Sequence, residues 1–99
     1  MAKIIWTDQA LDDLNSICEF IARDALRYAQ VFADRVFKSV ERLEDFPKSG
    51  RVVPELGIVT IREIILGNYR IAYRLKNDEI EVITVFHSAR LLDTSKFQP

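Results

Sequence analysis

Two turn dipeptides in the second half of the chain constrain its fold more than any other feature. Gly67-Asn68 and Asn77-Asp78 separate three runs of strand-forming residues, Thr60–Leu66, Tyr69–Lys76 and Glu79–His87. Short polar turns between apolar runs fold a chain back on itself as hairpins. The middle run alternates strictly, with Tyr69, Ile71, Tyr73 and Leu75 on one side and Arg70, Ala72, Arg74 and Lys76 on the other. That is the two-residue period of a strand. In the last run Ile80, Val82, Thr84 and Phe86 are expected to share one face. The three runs therefore predict an antiparallel meander.

A meander of this kind needs an apolar cover on one face, and the first half of the chain supplies it. Lys3-Ile4-Ile5-Trp6 reads as an opening strand. Thr7 offers a capping oxygen and Asp8 suits the positive end of a helix dipole. Leu11, Leu14, Ile17, Cys18 and Ile21 then recur at helical spacing, predicting a helix over 8–23. Asp24 is the expected cap of a second helix, whose stripe is Tyr28, Ala29, Phe32, Ala33, Val36, Val40 and Leu43. Pro47 ends it, because a proline disfavours helical geometry at the residue before it. With only a few residues between them, the helices should lie antiparallel. Residues 47–59 carry Pro47, Gly50, Pro54 and Gly57 and read as a loop with one turn of structure at most. The expectation is one α+β domain over residues 1–99, in the order β-α-α-β-β-β. A helical hairpin lies on one face of an antiparallel sheet, and the other face is open and displays Arg70 and Arg74.

Composition agrees with one packed core: 99 residues, 48% of them hydrophobic. The single cysteine, Cys18, excludes an internal disulfide and a cysteine-rich zinc site, and reads as core. No run approaches the roughly 18 apolar residues of a membrane span, and the first residues lack the basic and apolar pattern of a secretory leader. The expected location is the cytoplasm. Net charge is −1, but residues 1–46 hold nine acidic and six basic side chains while residues 47–99 hold six and eight. A strong nonspecific binder of nucleic acid carries a larger basic excess.

There is no Gly-rich phosphate loop, no His-Glu-x-x-His helix and no nucleophile elbow. With His87 the only histidine, neither metal nor cofactor is expected. What remains is a polar set in the back half: Arg51, Glu55, Arg62, Glu63, Arg70, Arg74, His87, Ser88 and Arg90. Guanidinium forks match phosphate oxygens, and a histidine can move protons near neutral pH. A plainer account pairs the same arginines with Glu55, Glu63 and Glu81 and gives His87 no chemistry.

Five motifs run in order along nearly the whole chain. They are Trp6-Thr7-x-x-Ala10-x-x-Asp13-Leu14-x-x-Ile17, Leu43-x-x-Phe46-Pro47-x-x-Gly50-Arg51-x-x-Pro54-Glu55, Ile61-Arg62-Glu63, Tyr69-Arg70-Ile71-x-Tyr73-Arg74 and His87-Ser88-Ala89-Arg90. Together they resemble the RelE/ParE superfamily of toxins from type II toxin–antitoxin systems, the plasmid stabilisation proteins. The resemblance implies a growth-inhibiting toxin wrapped and silenced by a cognate antitoxin protein. Its target would be one of two. A RelE-like member is a ribosome-dependent mRNA endoribonuclease. In that case Arg51 and Arg70 would hold the scissile phosphate, His87 or Glu55 would move the proton, and Arg90 would steady the leaving group. A ParE-like member inhibits DNA gyrase by binding, with Arg70 mainly structural. The absence of a tyrosine after Arg90 and the sequence pI of about 5.8 favour the gyrase reading.

Overall fold

The computed structural model describes residues 1–89 and 97. Its elements are β1 (Lys3–Trp6), α1 (Asp8–Ala22), α2 (Leu26–Glu41), a 3-10 turn (Arg42–Glu44), β2 (Arg51–Val52), β3 (Ile61–Leu66), β4 (Tyr69–Lys76) and β5 (Glu79–His87). The sheet order is β1-β5-β4-β3-β2. β3, β4 and β5 form the expected antiparallel meander.

Two features at the sheet edges differ from expectation. β1 lies parallel to β5, with Lys3 opposite Glu79 and Trp6 opposite Val82, so the sheet is mixed. This direction delivers the chain into α1 at the right place. The Thr7 hydroxyl donates to the Val82 carbonyl (2.7 Å) and accepts from the Ala10 amide (3.1 Å), joining the helix cap to the sheet. The second feature lies within the expected loop. Arg51 and Val52 pair antiparallel with Glu63 and Arg62 and form the outer strand β2.

The helical hairpin packs as its stripes dictate. Ala10 and Leu14 of α1 and Val36 and Val40 of α2 join Leu43 in a core against Ile71, Tyr73, Ile80, Val82 and Val85. Cys18 is partly buried at its margin. Asp24 is not the cap of α2. The Ile21 carbonyl accepts from the amides of both Asp24 and Ala25, which tightens the turn, and α2 starts one residue later with Ala25 at the cap and no side-chain bond there.

The second sheet face, expected to be open, is closed except near the β3 edge, where Ile65 stays exposed. Val53, Ile61, Ala72, Ile83, Phe86 and Phe97 form a second apolar cluster on it, with Leu56 packed alongside. Two causes combine. The Val53 carbonyl accepts from the Leu56 and Gly57 amides, so the segment after β2 turns back over the sheet. β5 also carries a bulge: Tyr73 pairs with Val82 but Ala72 pairs with Thr84, leaving Ile83 as an extra residue. The bulge reverses the alternation beyond Thr84, whose hydroxyl still reaches Asp13 of α1: Val85 joins the helix-side core and Phe86 does not. Phe86 therefore leaves the face of Ile80 and Val82 and enters the second cluster.

Candidate functional site

On this second face the sheet lays out a row of charges. Arg51 on β2 stands opposite Glu63 on β3, Glu63 is diagonal to Arg70 on β4, and Arg70 stands opposite Phe86 on β5. Same-face neighbours on adjacent strands are close enough to interact. Arg51 Nε donates to Glu63 Oε2 at 2.6 Å, and Arg70 Nε donates to Glu63 Oε1 at 2.6 Å. Arg70 Nη1 and Nη2 clasp Glu55 in a bidentate pair at 2.6 and 2.7 Å. Nη2 also lies 2.6 Å from Glu63 Oε1. The guanidinium carbon sits 4.8 Å from the centre of the Phe86 ring. All three Arg70 nitrogens are thus engaged, and the residue is only 6% exposed.

The electrostatics follow from these contacts. Hydrogen bonding from Arg70 holds the Glu55 carboxyl at about 2, well below its ordinary 4.5, although partial burial works the other way. The same pair pushes the Arg70 guanidinium further up. Two arginines and two glutamates leave the group neutral, and such a set tolerates burial that a lone charge does not. The pairing with Glu55, Glu63 and Glu81 named in the plainer account is found for Arg51, Arg70 and Arg74, but Arg70 is buried, and Arg62 bonds backbone carbonyls instead.

The helix side of the same strands shapes the entry to β2. The Tyr73 hydroxyl donates to the Pro47 carbonyl (2.8 Å) and accepts from the Gly50 amide (3.0 Å). Arg62 Nη1 donates to the Gly50 carbonyl at 3.0 Å. A Cβ on Gly50 would lie 2.6 Å from the Glu63 carbonyl oxygen and 2.6 Å from the Tyr73 hydroxyl, so this approach needs glycine. Tyr73 and Gly50 place Arg51 for Glu63, a role the sequence did not reveal. The signal available was an aromatic hydroxyl on a buried face, which must find a partner.

The remaining predicted residues are placed elsewhere. His87 ends β5 opposite Tyr69, with the rings 5.2 Å apart, and Tyr69 packs at a tilt against Phe32 of α2 at 4.8 Å. It therefore stands on the helix face of the sheet, across from Arg51, Glu55 and Arg70. Its Nδ1 accepts from the Ala89 amide at 3.1 Å. With Asp13, Ser16, Phe20 and Tyr69 it lines a separate cleft of about 440 Å³. Asp13 accepts from the Thr84 hydroxyl and from Gln9 Nε2 there. Arg74 donates to the Phe97 carbonyl at 2.9 Å and lies 3.8 Å from Glu81. Ser88 is exposed in the turn after β5, its amide donating to the Asn68 carbonyl. Arg90 and the tail that follows it lie outside the described residues. Among the described residues no cluster of three or more side chains could hold a metal ion, and no helix is long and apolar enough to cross a membrane.

The comparisons with known proteins agree with this fold. The family described as the ParE toxin of the type II toxin–antitoxin system, parDE, matches residues 4–92. Toxin RelE2 of Caulobacter vibrioides is 32% identical over 92 residues, covering 92% of this chain and all of that one. Y4kP, a candidate toxin of Sinorhizobium fredii, is 34% identical over 88 residues, covering 87% and 88%. A chain from the chromosomal ParDE toxin–antitoxin system of P. aeruginosa superposes with a TM-score of 0.72 at 20% identity, over 88% of this chain and 96% of that chain. That last likeness concerns the fold. On the family match and the two relatives, the chain belongs to the ParE toxin family of type II toxin–antitoxin systems.

Proposed function

We propose that this chain is a growth inhibitor that binds DNA gyrase and is silenced by a cognate antitoxin, acting by occupancy and not by cleavage. The observation that carries the reading is the state of Arg70. A nuclease arginine must offer free N–H groups where charge develops on the phosphate. Here each of the three guanidinium nitrogens already holds Glu55 or Glu63, and the group lies against the Phe86 ring, 6% exposed. Recruiting Arg70 to a phosphate would strip the buried Glu63 carboxylate of one of its two arginines. His87, the natural proton carrier, stands across the sheet from that arginine. The acidic balance of the chain also suits a protein partner better than a polyanion.

The test expresses the chain alone from a tightly controlled promoter. Filamentous arrest, an induced DNA-damage response and inhibition of supercoiling by purified gyrase are the expected results. Growth should return when a cognate antitoxin is co-expressed. Cleavage of messenger RNA on the ribosome, lost in His87→Ala, would overturn the proposal in favour of a ribonuclease that uses Arg51, Glu55, Arg70, His87 and Arg90.

A further inference from the structure

The outer edge of β3 is only partly covered. β2 pairs with Arg62 and Glu63 and stops there, because Gly50 is drawn away to Tyr73. The Ile61 carbonyl faces the β2 side, where it accepts from the Val53 amide. Backbone groups two residues apart on a strand point the same way, so the N–H and C=O of Glu63 and Ile65 face this side too. At Glu63 these groups meet β2, and at Ile65 they meet no strand. The Ile65 side chain is 50% exposed, on the face away from the helices. Beside this edge lies a cleft of about 450 Å³ lined by Ser39 of α2 and Arg42 just after it, by Ser49 and Arg51, and by Ile64 and Ile65 of β3. Its one carboxylate, Glu63, is already held by Arg51 and Arg70. Arg42 makes no ion pair among the described residues.

We infer that the β3 edge at Ile65 is a docking site for an extended peptide whose acidic side chains alternate with apolar ones. An added antiparallel strand would continue the line of β2. Its residue opposite Ile65 exchanges both backbone hydrogen bonds and lies on the exposed face, where an apolar side chain covers Ile65. The residues on either side of it point toward α2, where Arg42 and the two serine hydroxyls receive carboxylates. A second copy of this chain fits less well. Two such edges paired together would bring Arg42 and Arg51 of one copy against the same arginines of the other, and like charges across a strand pair are unfavourable. An exposed strand edge is a template for strand addition, and the arginines beside this one select which strand.

The probe is acetyl-Glu-Val-Glu-Val-Glu-Val-amide, titrated into the ¹⁵N-labelled full chain. Saturable amide shifts at Ile64, Ile65, Leu66 and Arg42, with slowed hydrogen exchange at the Ile65 amide, are the expected result. Arg42→Glu should weaken binding about tenfold or more. N-methylation of the valines should abolish binding, because their N–H groups face Ile65. N-methylation of the glutamates should leave it nearly intact. Equal tolerance of both methylation patterns would overturn the proposal, and so would equal binding of the Lys-Val counterpart. Dimerisation of the chain alone that protects the Ile65 amide would also overturn it, by assigning the edge to a second copy.

Discussion

Replacing Glu63 by glutamine should unfold this domain more readily than almost any other change of a single atom. Glu63 is 1% exposed and accepts from Arg51 Nε, Arg70 Nε and Arg70 Nη2, each at 2.6 Å. Glu63→Gln removes the charge and turns one acceptor into a donor facing a guanidinium. Hydrogen bonds to charged groups contribute about 1.5–3 kcal/mol each, and breaking a buried pair costs about 3–5 kcal/mol. Arg70 keeps Glu55, and the half-exposed Arg51 side chain can turn to water. The lower end therefore applies, about 3 kcal/mol, which for a domain of this size lowers Tm by more than about 10 °C. Urea denaturation measures it, with an unchanged m-value showing that the transition is the same. The companion variant Glu63→Leu with Arg70→Met removes both buried charges and should recover at least half of the loss. A cost below about 1 kcal/mol for Glu63→Gln would refute the reasoning, since the network would then behave as a surface ion pair. The double variant also addresses function: a folded protein that still arrests growth without Arg70 acts by binding.

Three other expectations follow from single contacts. The Glu55 carboxyl is held near 2 in the folded state against an ordinary 4.5. The unfolded state therefore binds more protons between those values, and the stabilisation is complete above about pH 4.5 and lost as pH falls toward 2. The Glu55 side chain is 38% exposed, so solvent screening reduces the contribution to on the order of 1 kcal/mol. Denaturation midpoints across this window should slope less in Glu55→Gln than in the parent chain. Gly50→Ala forces a Cβ to within 2.6 Å of the Glu63 carbonyl and the Tyr73 hydroxyl, and chemical denaturation should show a loss of about 2 kcal/mol or more. Thr7→Val removes both the cap of α1 and its bond to the Val82 carbonyl, costing about 1–2 kcal/mol by the same measurement.

The helices and the meander were legible because each rests on a local period and a turn dipeptide. The sheet edges were not. Two residues pairing at Arg51–Val52 leave no periodic trace, and the parallel contact of β1 with β5 depends on which edge remains free after β4 has paired. The closed second face was hidden by one residue. Ile83 as a bulge turns Phe86 across the sheet, and alternation read without the bulge assigns it to the wrong side. For the site, Arg51, Glu55 and Arg70 were found as a group because their types and order match the family motifs. The burial of Arg70 was not foreseen, since arginine on a strand is ordinarily solvated. The carboxylates that make burial tolerable lie on other elements, Glu55 on the segment after β2 and Glu63 on β3, and their meeting with Arg70 is a tertiary fact.

The parallel seam between the first and last strands has a consequence for biosynthesis. Thr7 bonds to Val82, a partner 75 positions away. Contacts that distant form late, since the loop must close before they stabilise anything. A nascent polypeptide that has not yet exposed Glu79–Val82 gives its opening segment no neighbour and its first helix no sheet to lie against. Fragments released early would be unfolded and inert, and the capacity to harm the cell would arise only with the finished product.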